Sequence, residues 1–394
     1  MQSKFYPGAA GFAAAAVLAL AFGALVRSSR VHAQEPAALD PNLSGGNYKG
    51  GPMDKVLLKD YKPDSSLVVP EHHPAKAKYP AIDVHSHVYA QTPAEVAEWV
   101  KTMDEVGVET TVILTGATGE RFDRLVDLYL KPYPKRFILF AGIDISNHDA
   151  ADYPERAARE LERCYRKGAR GVGELTDKGS GLGGFTGFGT RKAPPPGQRL
   201  HIDDPRLDLF WKKCAELKIP ASLHIADHPS AWRPPDEHQE RSPVFQRFNQ
   251  YGQDVDSYEK LIERRNNVVA RHPETTFIAV HLGNEGNNLA AFAKDLDKYP
   301  NLYSDISARG YEVGREPHTA ARFLARYRTR ILYGTDQGRD KAMYQAWWRL
   351  FETEDEYMPG PNWWRLYGLN LPNQVLESLY RGNAKRILNW TPPF

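Results

Sequence analysis

The sequence predicts a closed (β/α)₈ barrel, on three observations. Eight short, apolar runs rich in β-branched residues alternate with amphipathic helical patterns between residues 80 and 335. Strict alternation of this kind implies a parallel sheet with right-handed crossovers. The 394 residues suffice for one such domain, since barrels of about 250 residues commonly reach about 400 with insertions. Three long connections all follow predicted strands, the end at which a barrel builds its active-site face. An open doubly wound sheet is the alternative.

Taken in chain order, the first segment stands outside this fold. Lys4 gives a positive n-region, residues 11–26 form an Ala/Leu-rich core, and Val31-His32-Ala33 resembles a small-residue cleavage site. That core is short for a spanning helix, which needs about 20 predominantly apolar residues. The expectation is export by a Sec-type signal peptide over residues 1–33, to the periplasm or the exterior, without stable membrane insertion afterwards. An uncleaved anchor is the lesser reading. Arg27 and Arg30 follow the apolar core, so they make no twin-arginine signal. Residues 34–79, rich in Pro, Gly, Lys and Asp without periodicity, read as an extended arm.

The barrel then occupies residues 80–394. Its first strand is Pro80-Ala81-Ile82-Asp83-Val84, and the other seven are residues 110–114, 137–142, 171–175, 220–226, 276–282, 301–306 and 330–335. Helical patterns lie between them at 94–105, 153–167, 207–217 and 288–296. The long connections are 176–204, 227–256 and 336–372, after strands 4, 5 and 8. The first contains Gly179-Ser180-Gly181-Leu182-Gly183-Gly184, formally a dinucleotide fingerprint. It is rejected, because the Gly- and Pro-rich stretch after it cannot open the required helix.

Net charge is +2, with acids and bases interspersed. This gives no electrostatic case for a nucleic-acid or anionic-membrane partner and points to a small-molecule substrate. Homo-oligomer formation stays open. Cys164 and Cys214 exclude a disulfide scaffold and a thiolate metal cluster. Each falls on the apolar side of a predicted helix and reads as a buried free thiol, with a bridge left open in an oxidising compartment.

Chemistry concentrates at strand ends. Strand alternation puts Asp83, His85 and His87 on one face and Ile82, Val84 and Val88 on the other. Likewise Ser222, His224 and Ala226 share a face, and His281 lies opposite Ile278, Val280 and Leu282. The histidines would then take the small-residue side while the bulky aliphatics face the helices. Glu174 and Asp336 end strands 4 and 8. His85, His87, Glu174, His224, His281 and Asp336 would converge at the C-terminal mouth, and neutral imidazole is a favoured zinc ligand. Taken singly, a strand-end histidine is more often a hydrogen-bonded core residue, and a strand-end acid more often a helix cap. For Glu174 a structural hydrogen-bonding role weighs as much as ligation.

The chain resembles the amidohydrolase superfamily, specifically the amidohydrolase-related group of metal-dependent hydrolases and decarboxylases. The resemblance rests on Ile82-Asp83-Val84-His85-Ser86-His87, His224, His281, Tyr333-Gly334-Thr335-Asp336 and the closing Gly382-Asn383-Ala384-Lys385-Arg386-Ile387-Leu388. It implies that His85, His87, His224 and Asp336 are metal ligands and that His281 is a ligand or a catalytic base. Two features depart from the pattern. Gln337-Gly338 follow the strand-8 Asp, where many members have Trp or Tyr and then Pro. Gly173-Glu174 resembles the bridging acid of the TatD-like branch, which related decarboxylases usually lack.

The expected cofactor is one or two divalent ions, zinc first. A dication held by imidazoles and a carboxylate lowers a bound water's pKa from 15.7 to about 7, and Asp336 would take the proton. Six candidate ligands with Glu174 bridging favour hydrolysis of a lactone, ester or amide. The alternative is a single-metal decarboxylase using His85, His87, His224 and Asp336, with His281 managing the proton. A non-catalytic binding barrel is third, and a TatD-like nuclease suits the near-neutral charge poorly. Candidate substrate contacts are Lys178, Trp232, Arg233 and Arg309. Arg241, Phe245, Phe248 and Tyr251 after strand 5, and Trp347, Trp348, Trp363 and Trp364 after strand 8, would suit a sugar-like or aromatic substrate bearing a carboxylate. For any one aromatic, packing of the insertion is the plainer role.

Overall fold

The computed structural model describes residues 51–184, 194–241, 248–360 and 364–388. The leader read at 1–33, the start of the arm, Phe245 and Trp363 lie outside the described residues. Residues up to Leu67 form a unit of their own. Its described part holds two short 3₁₀ turns, Pro52–Lys55 and Leu58–Asp60. The second unit begins at Val68.

That second unit is the expected barrel. Its strands are β1 (Ala81–Ser86), β2 (Val108–Leu114), β3 (Phe137–Ala141), β4 (Ala169–Asp177), β5 (Ala221–Ile225), β6 (Phe277–Ala279), β7 (Leu302–Asp305) and β8 (Ile331–Leu332), paired in chain order. The ring closes where Val84 N–H donates to Tyr333 O at 3.0 Å and Asp336 N–H donates to His85 O at 2.9 Å. Helices α1 (Pro93–Val106), α2 (Gly119–Leu125), α3 (Tyr153–Arg166), α4 (Asp208–Glu216), α5 (Tyr258–Arg271) and α6 (Leu289–Lys298) follow successive strands. They are joined by α7 (Gly310–Arg315), α8 (Pro317–Arg326), α9 (Lys341–Glu352), α10 (Asn373–Glu377) and α11 (Asn383–Leu388). No helix among the described residues is long and apolar enough to cross a membrane.

Local sequence explains these elements. In α1, Thr92 Oγ1 accepts from Glu95 N–H at 3.3 Å while Glu95 Oε2 accepts from Thr92 N–H at 2.9 Å, a reciprocal cap with Pro93 at the first position. Val96, Trp99, Met103 and Val106 then bury one stripe at helical spacing. Gly107, at φ 87°, ends the helix in a conformation that side chains resist.

Two apolar layers result, and they correct part of the expected facing. Ile82, Val84, Ile278 and Val280 fill the inner layer with Phe140, Leu332 and Leu388 of α11, rather than facing the other helices. Asp83 sits on the other side of β1, accepting from Thr335 N–H at 3.1 Å and Thr335 Oγ1 at 2.8 Å, with the Tyr344 hydroxyl of α9 at 3.5 Å. The pairing of β1 with β2 shifts register between Asp83 and Ser86. A bulge of this kind re-aims the residues after it, so Asp83 and His85 part company. β6 ends at Ala279, and His281 lies beyond it at φ 60°, where strand alternation no longer applies. On β5 the rule holds, with Leu223 and Ile225 packed in the outer layer.

The connection read at 336–372 contains α9 and an antiparallel pair, β9 (Met358–Pro359) with β10 (Arg365–Leu366). Tyr344, Trp347, Trp348 and Phe351 share one buried stripe of α9, and the Trp348 and Tyr333 rings lie 5.1 Å apart. Beyond α9, the buried Asp355 accepts from His72 N–H at 2.8 Å and Arg349 Nε at 2.6 Å, tying the segment before β1 to the barrel. Burial opposes ionisation of Asp355, yet its bonds to His72 and Arg349 outweigh that and lower its pKa from 3.8 to about 2. A depressed carboxylate pKa stabilises the fold above the unfolded value and loses that stabilisation as pH falls through the folded one. Asp355→Asn should therefore destabilise by about 1–3 kcal/mol at neutral pH, a gap that narrows toward pH 2. Denaturant unfolding at several pH values checks this, and a gap unchanged by acid would refute the account.

Candidate metal centre

All six expected ligands meet at the mouth of the barrel. His87 Nε2 lies 3.0 Å from Asp336 Oδ1, and His85 Nε2 lies 3.8 Å from the same oxygen. Glu174 Oε1 is 2.6 Å from His224 Nδ1, 3.4 Å from His281 Nε2 and 3.5 Å from His85 Nε2. Three overlapping ligand sets arise: His85–His87–Asp336, Glu174–His224–His281 and His85–His281–Asp305. Small residues make room for them. A Cβ on Gly334 would stand 2.8 Å from His85 Cβ, and one on Gly173 would stand 2.7 Å from Ser222 Cβ. Asp336 and His281 adopt left-handed backbone, at φ 55° and 60°, a strain of about 1–3 kcal/mol each that clusters at functional sites.

Outer contacts orient the rings. Asp305 Oδ2 accepts from His85 Nδ1 at 2.8 Å, and Leu114 O accepts from His87 Nδ1 at 3.2 Å. Ser307 O accepts from His281 Nδ1 at 2.9 Å, which leaves Nε2 of all three rings for the centre. Among the described residues, His85 Nε2 and His224 Nε2 are buried with no hydrogen-bond partner. In its neutral form the His85 ring, with Nδ1–H donated to Asp305 Oδ2, turns an Nε2 lone pair toward Glu174 and Asp336. A buried lone pair facing carboxylates is the environment a divalent cation satisfies, so the residues fit a metal. Burial pulls the His85 pKa down, but Asp305, Asp336 and Glu174 outweigh it and push it up to about 10. His224 goes down to about 4, with burial the main cause. Burial opposes ionisation of Glu174 and Asp336, yet the surrounding imidazoles hold both below the usual carboxylate range.

The model of the amidohydrolase family matches residues 68–390. The chain belongs to the amidohydrolase family. Against curated proteins, this amidohydrolase is 30% identical over 139 residues to gamma-resorcylate decarboxylase of Polaromonas sp. (strain JS666 / ATCC BAA-500), covering 32% of this chain and 37% of that enzyme. Among solved structures it resembles a putative amidohydrolase from Staphylococcus aureus, with a TM-score of 0.50, 18% identity, and 79% and 99% of the two chains covered. It also resembles 5-carboxyvanillate decarboxylase from Novosphingobium aromaticivorans, complexed with manganese and a nitrobenzoic acid, with a TM-score of 0.50, 13% identity, and coverage of 82% and 100%. At such identities the structural likenesses speak to the fold.

Of the substrate contacts expected for this amidohydrolase, two lie in a buried charged cluster beside the centre. Lys178 Nζ is 2.9 Å from Asp227 Oδ2, and Arg309 Nη2 is 3.8 Å from Asp227 Oδ1. Arg241 joins them, 3.6 Å from Asp227 and 3.3 Å from Glu312. Arg309 Nε donates to His281 O at 3.2 Å, which places the cluster beside the donor set. Trp232 instead anchors its loop, donating from Nε1 to Asp256 O at 3.0 Å. Arg233 closes the adjoining 3₁₀ turn through its backbone N–H. Trp348 is wholly buried in packing, and Trp347 Nε1 donates to Gln337 Oε1 at 3.0 Å, next to Asp336. Cys164 and Cys214 are buried free thiols.

Sequence reasoning missed Asp305, Ser307 and Asp227. Asp305 ends a strand-like run just as Asp336 does, so the same strand-end rule would have found it. Its role is to hold the His85 ring and, through Oδ1, the His281 N–H at 2.8 Å. Removing such a partner typically weakens metal affinity about 10–100-fold. Asp305→Asn should show that loss in chelator competition, and an unchanged affinity would remove Asp305 from the site.

Proposed function

We propose that this amidohydrolase is a metal-dependent carboxy-lyase acting on a small aromatic acid. The observation that carries the reading is the charged cluster beside the donor set, where Lys178, Arg241 and Arg309 are ion-paired with Asp227 and Glu312. Buried positive charge of this kind favours an anionic substrate, and a carboxylate is what a carboxy-lyase consumes. The partial similarity to gamma-resorcylate decarboxylase supports the same class.

His85, His87, His224 and Asp336 would hold one divalent ion, zinc or manganese suiting such nitrogen and oxygen donors. When bound, the ion supplies positive charge that grips the substrate's carboxylate and a neighbouring hydroxyl. His281, its Nδ1–H tied to Ser307 O, would in its imidazolium form deliver the Nε2 proton to the ring carbon and be left as the neutral ring. The carbon–carbon bond breaks, its electrons stay on the ring, the ring carbon takes the proton, and carbon dioxide leaves. Export to the periplasm or exterior, read from residues 1–33, belongs to the same proposal.

Hydrolysis of a lactone, ester or amide is the second reading, favoured by Glu174 lying among His85, His224 and His281. Metal-loaded protein offered a panel of hydroxybenzoic acids, lactones and esters decides between them. Carbon dioxide release from an acid is the expected result. Turnover of the lactones or esters alone would overturn it.

A further inference from the structure

The strand ladders stop short of the donor set at the seam of the barrel. β8 ends at Leu332, where its pairing with β7 also ends, so Gly334, Thr335 and Asp336 run on beyond that ladder. On the other side of the seam, the pairing of β1 with β2 breaks register between Asp83 and Ser86, a stretch that includes His85. Two ligand-bearing segments thus meet with little regular pairing to fix them. A functional constellation needs its members held to within about 0.5 Å, so something else must set their spacing.

Asp83 supplies the missing bonds. Its Oδ1 accepts from His85 N–H and from Thr335 N–H, each at 3.1 Å, and its Oδ2 accepts from Thr335 Oγ1 at 2.8 Å. One carboxylate therefore ties a residue that carries an imidazole of the centre to the residue just before Asp336. Asp can bond the N–H two residues on because its side chain is short. Asp83 itself lies outside the three ligand sets formed among the described residues. It is fully buried, as are Thr335, Tyr344 and Trp99. The Tyr344 hydroxyl stands 3.5 Å from Oδ2 and accepts from Trp99 Nε1 at 3.3 Å, so α9 and α1 back the carboxylate. Burial opposes its charge and pushes its pKa up to about 7. An acid buried at such a cost, with no part in ligation, points to a task for its oxygens.

We propose that Asp83 is a positioning residue for the centre, a splint that sets the spacing between the segment bearing His85 and His87 and the segment bearing Asp336. This rests on the reading of the donor set as a metal centre. The splint needs an acceptor at Oδ1 rather than a charge. A protonated acid or an amide would serve, since either keeps the oxygen that both N–H groups use.

The test is cobalt(II) binding to the folded protein, well below its melting temperature. It is read by chelator competition and by the visible absorption band that reports coordination geometry. Asp83→Val places an apolar strand former there without an acceptor. It should weaken binding about 10–100-fold and alter the band, as loss of a supporting partner does. Asp83→Asn keeps Oδ1 and should bring both readouts back close to the parent protein. Thr335→Val removes only the Oγ1 bond and should give a smaller loss in the same direction; it decides the matter if Asp83→Val fails to fold. A merely structural Asp83 would lower the melting temperature of these variants and leave affinity and absorption unchanged. That result would overturn the proposal, as would Asp83→Asn falling as far as Asp83→Val. A parent protein that binds no cobalt would refute the metal reading and the splint with it. Parental binding that survives both valine substitutions refutes the splint alone.

Discussion

Asp336→Asn is expected to lower turnover about 10²–10⁴-fold, the range associated with loss of a positioned acid–base group. The substitution keeps the side chain's shape and leaves the backbone bond from Asp336 N–H to His85 O untouched. Tyr89 OH, which donates to Oδ1 at 3.2 Å, can still find an amide oxygen there. What disappears is the negative charge facing His85, His87 and His281. In the carboxy-lyase reading that charge holds the ion, and in the hydrolase reading it also takes the proton, so both demand a large loss. The measurement pairs kcat with elemental metal content and a melting curve. Near-normal turnover with metal bound would show that another group carries the role.

The barrel and the six-residue convergence were legible because they follow from periodicity and strand ends. Eight apolar runs read correctly as strands, since each is short, β-branched and bounded by turn residues. The facing of individual side chains was less legible. On β5 the period of two places Leu223 and Ile225 outward, as expected. On β1 a register shift after Asp83 breaks the period, and nothing in Ile82-Asp83-Val84-His85 announces it. His281 reaches the centre from a left-handed residue beyond a three-residue strand, so its placement agreed with the expectation for a different physical reason. The charged cluster is assembled from the loops after β4, β5 and β7. Such long-range pairing of Lys178, Asp227, Arg241 and Arg309 leaves no local pattern to read.

Glu174→Gln separates the two chemistries. Glu174 Oε1 contacts His224, His281 and His85, and Oε2 lies 3.9 Å from His87 Nε2, so one carboxylate touches every imidazole of the centre. The amide keeps the volume and an oxygen for His224 Nδ1–H but loses the charge. Removing a charge that acts on four rings in a low-dielectric site should lower turnover about 100-fold or more, as loss of a preorganised electrostatic group does. The ion count tells which reaction is lost. If His85, His87, His224 and Asp336 hold a single ion, the variant should keep about one per chain, because its four ligands are intact. If Glu174 bridges two, a neutral amide bridges cations poorly, and the count should fall by about one. An unchanged count with carbon dioxide released by the parent protein fits the carboxy-lyase. A fall from two ions to one, with a lactone or ester as the substrate consumed, would establish the hydrolase instead.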